Sequence, residues 1–302
     1  MGQLGGAAAP VRRQPPLAGA APGGGRVILS VIIPASNEER WLGACLAALI
    51  ASDPVAGGAE IIVAANGCRD RTADVARAAI PAAAAAGWEL TVIEREQGGK
   101  PAALNHADNV ARGEIRAYLD ADVIVSPPLL AALARALTAR EGAAYGSGRP
   151  RVTAQTRLSR AYARFWSQLP FARSTAPGFG LFAVNRAGRA RWGEFPAIIS
   201  DDSYVRMLFQ PQERIEVAAP YDWPMTEGFA ALVRVRRRQD AGVAEIAARW
   251  PELLANEGKP RLGAGGVLRL AAADPAGFAA YAAVSLAVRA GRDSGTWARG
   301  RQ

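Results

Sequence analysis

Short apolar runs alternate with apolar positions at helical spacing over most of the chain. Residues 27–33 form a β-branched run ended by Pro34, the pattern of a strand buried on both faces of a parallel sheet. Trp41, Leu42, Cys45, Leu46 and Leu49 then recur with helical period behind a cap-like Ser36-Asn37 and the acids Glu38 and Glu39. A second run, residues 60–65, precedes a polar loop at 66–70 and a helix over 72–79. A third, residues 90–93, is followed by Gly98, Gly99, Lys100 and Pro101 and a helix through Leu104 and Val110. The fourth, residues 117–125, carries Asp120 and Asp122 inside it. As one continuous strand it points both carboxylates the same way, since side chains two apart share a face. Alternation of this kind predicts an α/β fold, a mostly parallel sheet flanked by helices, with ligands at the carboxyl ends of the strands.

Further along, the pattern predicts a helix over 129–140, an edge-like segment at 142–152 and a last sheet strand at 214–218. Tyr162, Phe165 and Trp166 stand at helical spacing, which reads as core or lid packing before substrate stacking. Gly178 and Gly180 open a strand at 178–184, where glycine admits a ligand or a neighbouring backbone. Residues 195–199 lead into Ser200-Asp201-Asp202-Ser203 and a helix through Val205 and Leu208; an Asp pair there suits helix capping by itself. Arg234, Arg236, Arg237 and Arg238 form a charge run, either a solvated helix face or a phosphate clamp. Residues 277–289 are Ala-rich and either close the core, the favoured reading, or lie on a membrane surface. The expected division is a disordered tail at 1–26, one domain at 27–238 and a helical extension at 239–302.

The polar loops Ser36 to Glu38, Asn66 to Asp70, Gly98 to Lys100 and Asp120 to Asp122 each follow a strand, so they converge on one sheet edge. Two carboxylates as close as Asp120 and Asp122 repel, which a divalent cation or hydrogen-bonded ligand between them would relieve; a solvated strand end running into a turn is the plainer alternative. Oxygen ligands favour Mg²⁺ or Mn²⁺ over zinc. The 302 residues carry 36 Lys and Arg against 27 Asp and Glu, a net charge of +9. That balance suits nucleic acid, an anionic membrane or a polyphosphate-bearing substrate. No zinc spacing, helix-turn-helix or aromatic-interleaved basic stripe supports nucleic acid. Cys45 and Cys68 are the only cysteines, too few for a disulfide framework, and the single histidine, His106, has no zinc-ligating partners. Residues 1–25 lack a secretory apolar core and no run reaches the roughly 18–20 residues of a spanning helix. The expectation is a cytoplasmic protein, with peripheral contact at the inner face of the cell membrane left open.

Taken together, residues 31–38, 66–72, 99–105, 119–122 and 200–202 resemble, in order and spacing, the inverting family 2 glycosyltransferases of the GT-A fold. The resemblance spans roughly residues 27–238 and implies a metal-dependent transfer of sugar from a nucleotide-diphosphate sugar, UDP-sugar favoured, to a hydroxyl acceptor. It implies that Pro34, Ala35, Ser36, Glu38, Asn66 and Asp70 surround the nucleoside, and that Gly99, Lys100, Asp120 and Ala121 lie against donor phosphate, base or ribose. Asp122 would bind Mn²⁺ or Mg²⁺ directly. Asp202 falls at the family's catalytic base, with Asp201 in the place of the usual Glu. The Gln-x-x-Arg-Trp motif of processive synthases is missing from 234–239, where Arg236 or Arg238 is the stand-in for its phosphate-binding part; this implies single addition. A nucleotidyltransferase would open with a glycine-rich loop after the first strand, which Pro34-Ala35-Ser36 is not. A binding or scaffold subunit is the remaining alternative.

Overall fold

The computed structural model describes residues 28–258 and 262–291, so the tail expected at 1–26 lies outside the described residues. Strands and helices follow in the order β1 (Leu29–Ala35), α1 (Leu42–Ile50), β2 (Ala59–Asn66), α2 (Thr72–Ala78), α3 (Ile80–Ala85), β3 (Glu89–Arg95), α4 (Lys100–Val110), β4 (Ile115–Leu119) and β5 (Ile124–Val125). Then come α5 (Leu129–Thr138), β6 (Tyr145–Thr153), α6 (Arg157–Trp166), β7 (Leu181–Val184), α7 (Arg186–Arg189), α8 (Asp201–Met207), β8 (Arg214–Pro224), α9 (Phe229–Arg249), α10 (Ala264–Ala273) and α11 (Pro275–Ala290). The strands form one sheet in the order β3-β2-β1-β4-β7-β6-β8-β5. β3, β2, β1 and β4 are parallel; β7 is antiparallel to β4 and β6, β8 parallel to β6, and β5 antiparallel to β8.

Both faces of β1 are covered, which is why it reads as an apolar run whose one polar side chain, Ser30, is buried and donates to Glu60 Oε1 at 2.6 Å. Val31 and Ile33 pack with Leu42 and Leu46 of α1 and Leu130 and Leu133 of α5. Ile32, pointing the other way, joins Leu104 of α4, Tyr118, Phe182 and Val205 of α8. A third cluster joins Tyr162 of α6, Leu232 and Val233 of α9, and Ala280 and Val284 of α11. The Ala-rich stretch therefore packs its buried positions onto α6 and α9. Among the described residues no helix is long and apolar enough to cross a membrane.

Four local expectations change. Pro34 does not end β1: it pairs with Ala64 of β2, while β4 accompanies β1 only as far as Ile32, so Pro34 occupies an edge position that tolerates proline. The segment read as an edge is β6, flanked by β7 and β8; Gly146, Ser147 and Gly148 hide its alternation, and Gly148 lacks a side chain because Leu129 and the Ala219 carbonyl fill that space. The run 117–125 is not one strand. It leaves the sheet after Leu119, turns with the Val123 N–H donating to the Asp120 carbonyl at 3.1 Å, and re-enters as β5. The boundary drawn at 238/239 falls inside α9.

Candidate active site

The parallel half of the sheet presents its carboxyl ends on one side, and a cavity of about 290 Å³ opens there. Pro34, Ser36 and Glu38 reach it from the end of β1, Asn66 from β2, Gly99 and Lys100 from the start of α4, and Asp120, Ala121 and Asp122 from the turn after β4. The far side comes from later chain: Phe179 and Gly180 before β7, Ser200, Asp201 and Asp202 at the start of α8, Trp223 of β8, and Arg238 and Gln239 of α9. The carboxylates of Asp120 and Asp122 are thus aimed by a turn rather than by an extended strand. The turn is held by the Asp120 N–H donating to the Gly180 carbonyl at 2.8 Å, and Gly180 takes a left-handed φ of 75°.

Lys100 is the electrostatic centre. Its Nζ lies 3.0 Å from Asp120 Oδ1 and 3.2 Å from Asp201 Oδ2. Burial works to lower the ammonium's pKa, but Asp120, Asp201 and Asp202 together outweigh it, so Lys100 is held charged. Burial pushes the Asp201 carboxyl up to about 6, against the pull of the Lys100 charge and with Asp202 and Asp120 adding repulsion. Asp202 is less buried, and its Oδ1 accepts from the Ser203 N–H at 2.7 Å at the amino end of α8. Cys45 lies beneath, its thiol directed at the Asp120 carbonyl; burial, then Asp120 and Glu38, push its pKa far up, which makes it a poor nucleophile.

The profile described as Glycosyl transferase family 2 matches residues 30–192. The chain belongs to that family and is a glycosyltransferase. The membership sets the nucleotidyltransferase reading aside. No curated protein matches the chain. Among solved structures, the transferase is similar to the mannosyltransferase PcManGT from Pyrobaculum calidifontis, in complex with GDP-Man and Mn²⁺, at 23% identity and a TM-score of 0.57, over 88% of this chain and 76% of that one. It is similar to residues 1–349 of TarS from S. aureus, in complex with UDP-GlcNAc, at 15% identity and a TM-score of 0.52, over 87% and 92%. Glucosyl-3-phosphoglycerate synthase from Mycobacterium tuberculosis, with Mn²⁺, UDP and glucosyl-3-phosphoglycerate, matches at 20% identity and a TM-score of 0.50, over 74% and 80%. The chain spans 39% of the longer TarS chain that it also matches. These likenesses give the fold, that of GT-A glycosyltransferases.

Not every residue singled out in the transferase's sequence reaches the cavity. Ala35 is fully buried, its carbonyl accepting from Asn66 Nδ2 at 2.9 Å. Asn66 lines the cavity but its side chain is already engaged, since its Oδ1 also accepts the Gly99 N–H at 2.9 Å; it ties together the loops after β1, β2 and β3. Asp70 is outside the lining: its carboxylate accepts from the Glu39 N–H and from the N–H and hydroxyl of Thr72. Against the upward effect of burial, those hydrogen bonds hold its pKa below the usual value. Arg236 turns away from the cavity to Asp240 and Tyr281, whereas Arg238 lines it. Sequence reasoning gave no role to Asp201 in holding Lys100, nor to Phe179, Trp223, Thr226 or Gln239 in the lining. Trp223 had a faint signal, an aromatic at the end of a strand between Asp222 and Pro224; the others had none.

Proposed function

We propose that this transferase moves a single sugar from a nucleotide-diphosphate sugar, UDP-sugar favoured, to an acceptor hydroxyl with inversion and with Mn²⁺ or Mg²⁺ bound. The observation that carries the reading is one cavity that collects Ser36, Glu38, Lys100, Asp120 and Asp122 from the strand ends and Asp202 from a helix start. The complexes of similar structures with GDP-Man and Mn²⁺ and with UDP-GlcNAc support the donor class.

The residues present fit a divalent cation. Asp122, with Asp120 beside it, offers hard oxygen donors, and among the described residues no group of three or more His, Cys, Asp or Glu closes a protein cage. Such a site suits a cation shared with substrate phosphates, as Mg²⁺ commonly is. When bound there, the cation would supply charge neutralisation to the departing diphosphate. Arg238, which has no ion-pair partner among the described residues, adds a cation on the α9 wall. Ser36 and Glu38 line the cavity and would contact the nucleoside, and Lys100 fixes the Asp120 side of the turn against Asp201.

Asp202 is the base. One of its oxygens is held by the Ser203 N–H, which orients the other to take the acceptor proton. Inversion needs that base on the face opposite the leaving diphosphate.

The test combines thermal shift, transfer and product stereochemistry. UDP, GDP and dTDP are screened with and without Mn²⁺; one nucleotide should raise the melting temperature in a metal-dependent way, and Asp122→Ala should abolish the metal-dependent part. Asp202→Asn should keep that shift and lose transfer by about 10²–10⁴-fold. Normal turnover by Asp202→Asn, or retained anomeric configuration by NMR, would sink the base assignment. Donor binding without transfer or hydrolysis under any acceptor would favour a scaffold subunit.

A further inference from the structure

Behind Asp202 a second cavity, about 220 Å³, opens between α6, α8 and α9. It shares Phe179, Ser200, Asp202, Trp223 and Gln239 with the first, so Asp202 stands on the boundary between the two cavities. Its wall is aromatic. Trp166 and Trp223 stack with centroids 5.6 Å apart and planes at 28°. Phe179 lies 5.2 Å from Trp166 and 4.9 Å from Trp223, and Phe171 stands 6.2 Å behind Phe179. Leu169, Ala172 and Met207 extend the apolar surface, and Val243 of α9, 40% exposed, is on its solvent side.

Two arginines also line this cavity, and their N–H donors are engaged within the protein, those of Arg236 by a carboxylate and those of Arg206 by neutral oxygens. Arg206 is 2% exposed and donates to the carbonyls of Ala176 and Glu257 and to Ser174 Oγ. Arg236 donates to Asp240 Oδ1 at 2.9 Å and to Tyr281 Oη at 3.3 Å. An anionic acceptor would therefore meet guanidiniums that are already hydrogen-bonded, and would bring like charge towards Asp202. A carbohydrate needs partners for several hydroxyls, whereas the uncharged polar side chains of the lining are Ser200, Ser203, Gln239 and Tyr281, and the Tyr281 hydroxyl already accepts from Arg236.

Resting on the reading of Asp202 as the base, we infer that the acceptor is an uncharged alcohol on an apolar body, seated on the Trp166–Trp223–Phe179 wall with its hydroxyl at Asp202. In the step, the hydroxyl proton passes to the Asp202 carboxylate and the acceptor oxygen bonds the anomeric carbon. The bond from that carbon to the diphosphate oxygen breaks, and its electron pair leaves with the diphosphate.

The experiment uses the full chain with Mn²⁺ and the nucleotide sugar chosen by the thermal-shift screen. Geraniol and n-octanol are offered against 3-phosphoglycerate and methyl β-glucoside, reading tryptophan fluorescence for binding and labelled donor for transfer. Both alcohols should quench saturably and accept sugar, and the other two should do neither. Val243→Asp should weaken alcohol binding about tenfold by placing a carboxylate on the apolar rim, with the nucleotide-induced thermal shift unchanged. Transfer to phosphoglycerate or glucoside and not to the alcohols, or to none of the four with nucleotide binding intact, overturns the acceptor class while the transferase reading stands. Equal alcohol affinity in Val243→Asp overturns the seat. Failure of every nucleotide to bind removes the donor reading, and the acceptor class falls with it.

Discussion

Replacing Lys100 by Met removes the cation between Asp120 and Asp201 while keeping most of the side-chain bulk. The Asp201 side chain is only 5% exposed and that of Lys100 35%. Breaking a fully buried ion pair costs about 3–5 kcal/mol. Water reaching Lys100 screens part of this, so the expected loss at pH 7.5 is about 2–3 kcal/mol. For a chain of this size that is a fall in Tm of about 4–10 °C. The pH dependence carries the sign of the interaction. Burial raises the folded-state pKa of Asp201 to about 6 from an ordinary 3.8. The stability linked to its protonation is therefore fully present below about pH 4 and is lost as pH rises through about 6. At pH 5 the carboxyl is neutral and no longer needs Lys100, so the loss in Lys100→Met should shrink to about 1 kcal/mol, the part owed to Asp120. Urea denaturation followed by circular dichroism, at pH 5.0 and 7.5, on wild type, Lys100→Met, Asp201→Asn and the double variant reads this directly. Equal losses at both pH values, or strictly additive single effects at pH 7.5, would refute the reasoning.

Three other outcomes follow from the geometry. Gly178→Ala should cost about 2–4 kcal/mol in the same assay: its φ is 75°, and a Cβ there overlaps the Tyr145 hydroxyl, which cannot move because Tyr145 is fully buried and stacked on Phe182. Asp274→Ala removes both the cap of α11, where its side chain accepts from the Gly277 N–H, and the Arg164 pair. A loss of about 1 kcal/mol with unchanged nucleotide binding is expected, and thermal melts with and without UDP check it. Because the Arg164 hydrogen bond and then the Gly277 N–H hold the Asp274 carboxyl below its usual range, the wild-type advantage over Asp274→Ala is present above about pH 4 and should fade as pH drops further.

The sequence by itself determined the parallel half of the sheet and the edge where the site forms. The runs at 27–33 and 60–65 are mainly apolar because helices cover both faces of β1 and β2, the run at 90–93 lies on the edge strand with Thr91 exposed, and parallel strands joined by helices bring the loops after them to one side. Ser36, Lys100, Asp120 and Asp122 follow from that topology alone. Local pattern does not determine which side chains in those loops remain available. Asp70 and Asn66 sit in the right loop, but hydrogen bonds with the neighbouring Thr72 and with the distant Glu39, Ala35 and Gly99 take their polar atoms, and the distant partners are set by how neighbouring loops approach. The Lys100–Asp201 pair joins α4 to α8 across about a hundred residues, and the roles of Arg236 and Arg238 separate only by the rotation of α9 against β8 and α11. Trp166, Phe179 and Trp223 meet for the same reason. Burial of apolar surface is non-directional and leaves its period in the chain, whereas a charge pair or an aromatic wall between distant segments depends on relative placement, which only the packed tertiary structure supplies.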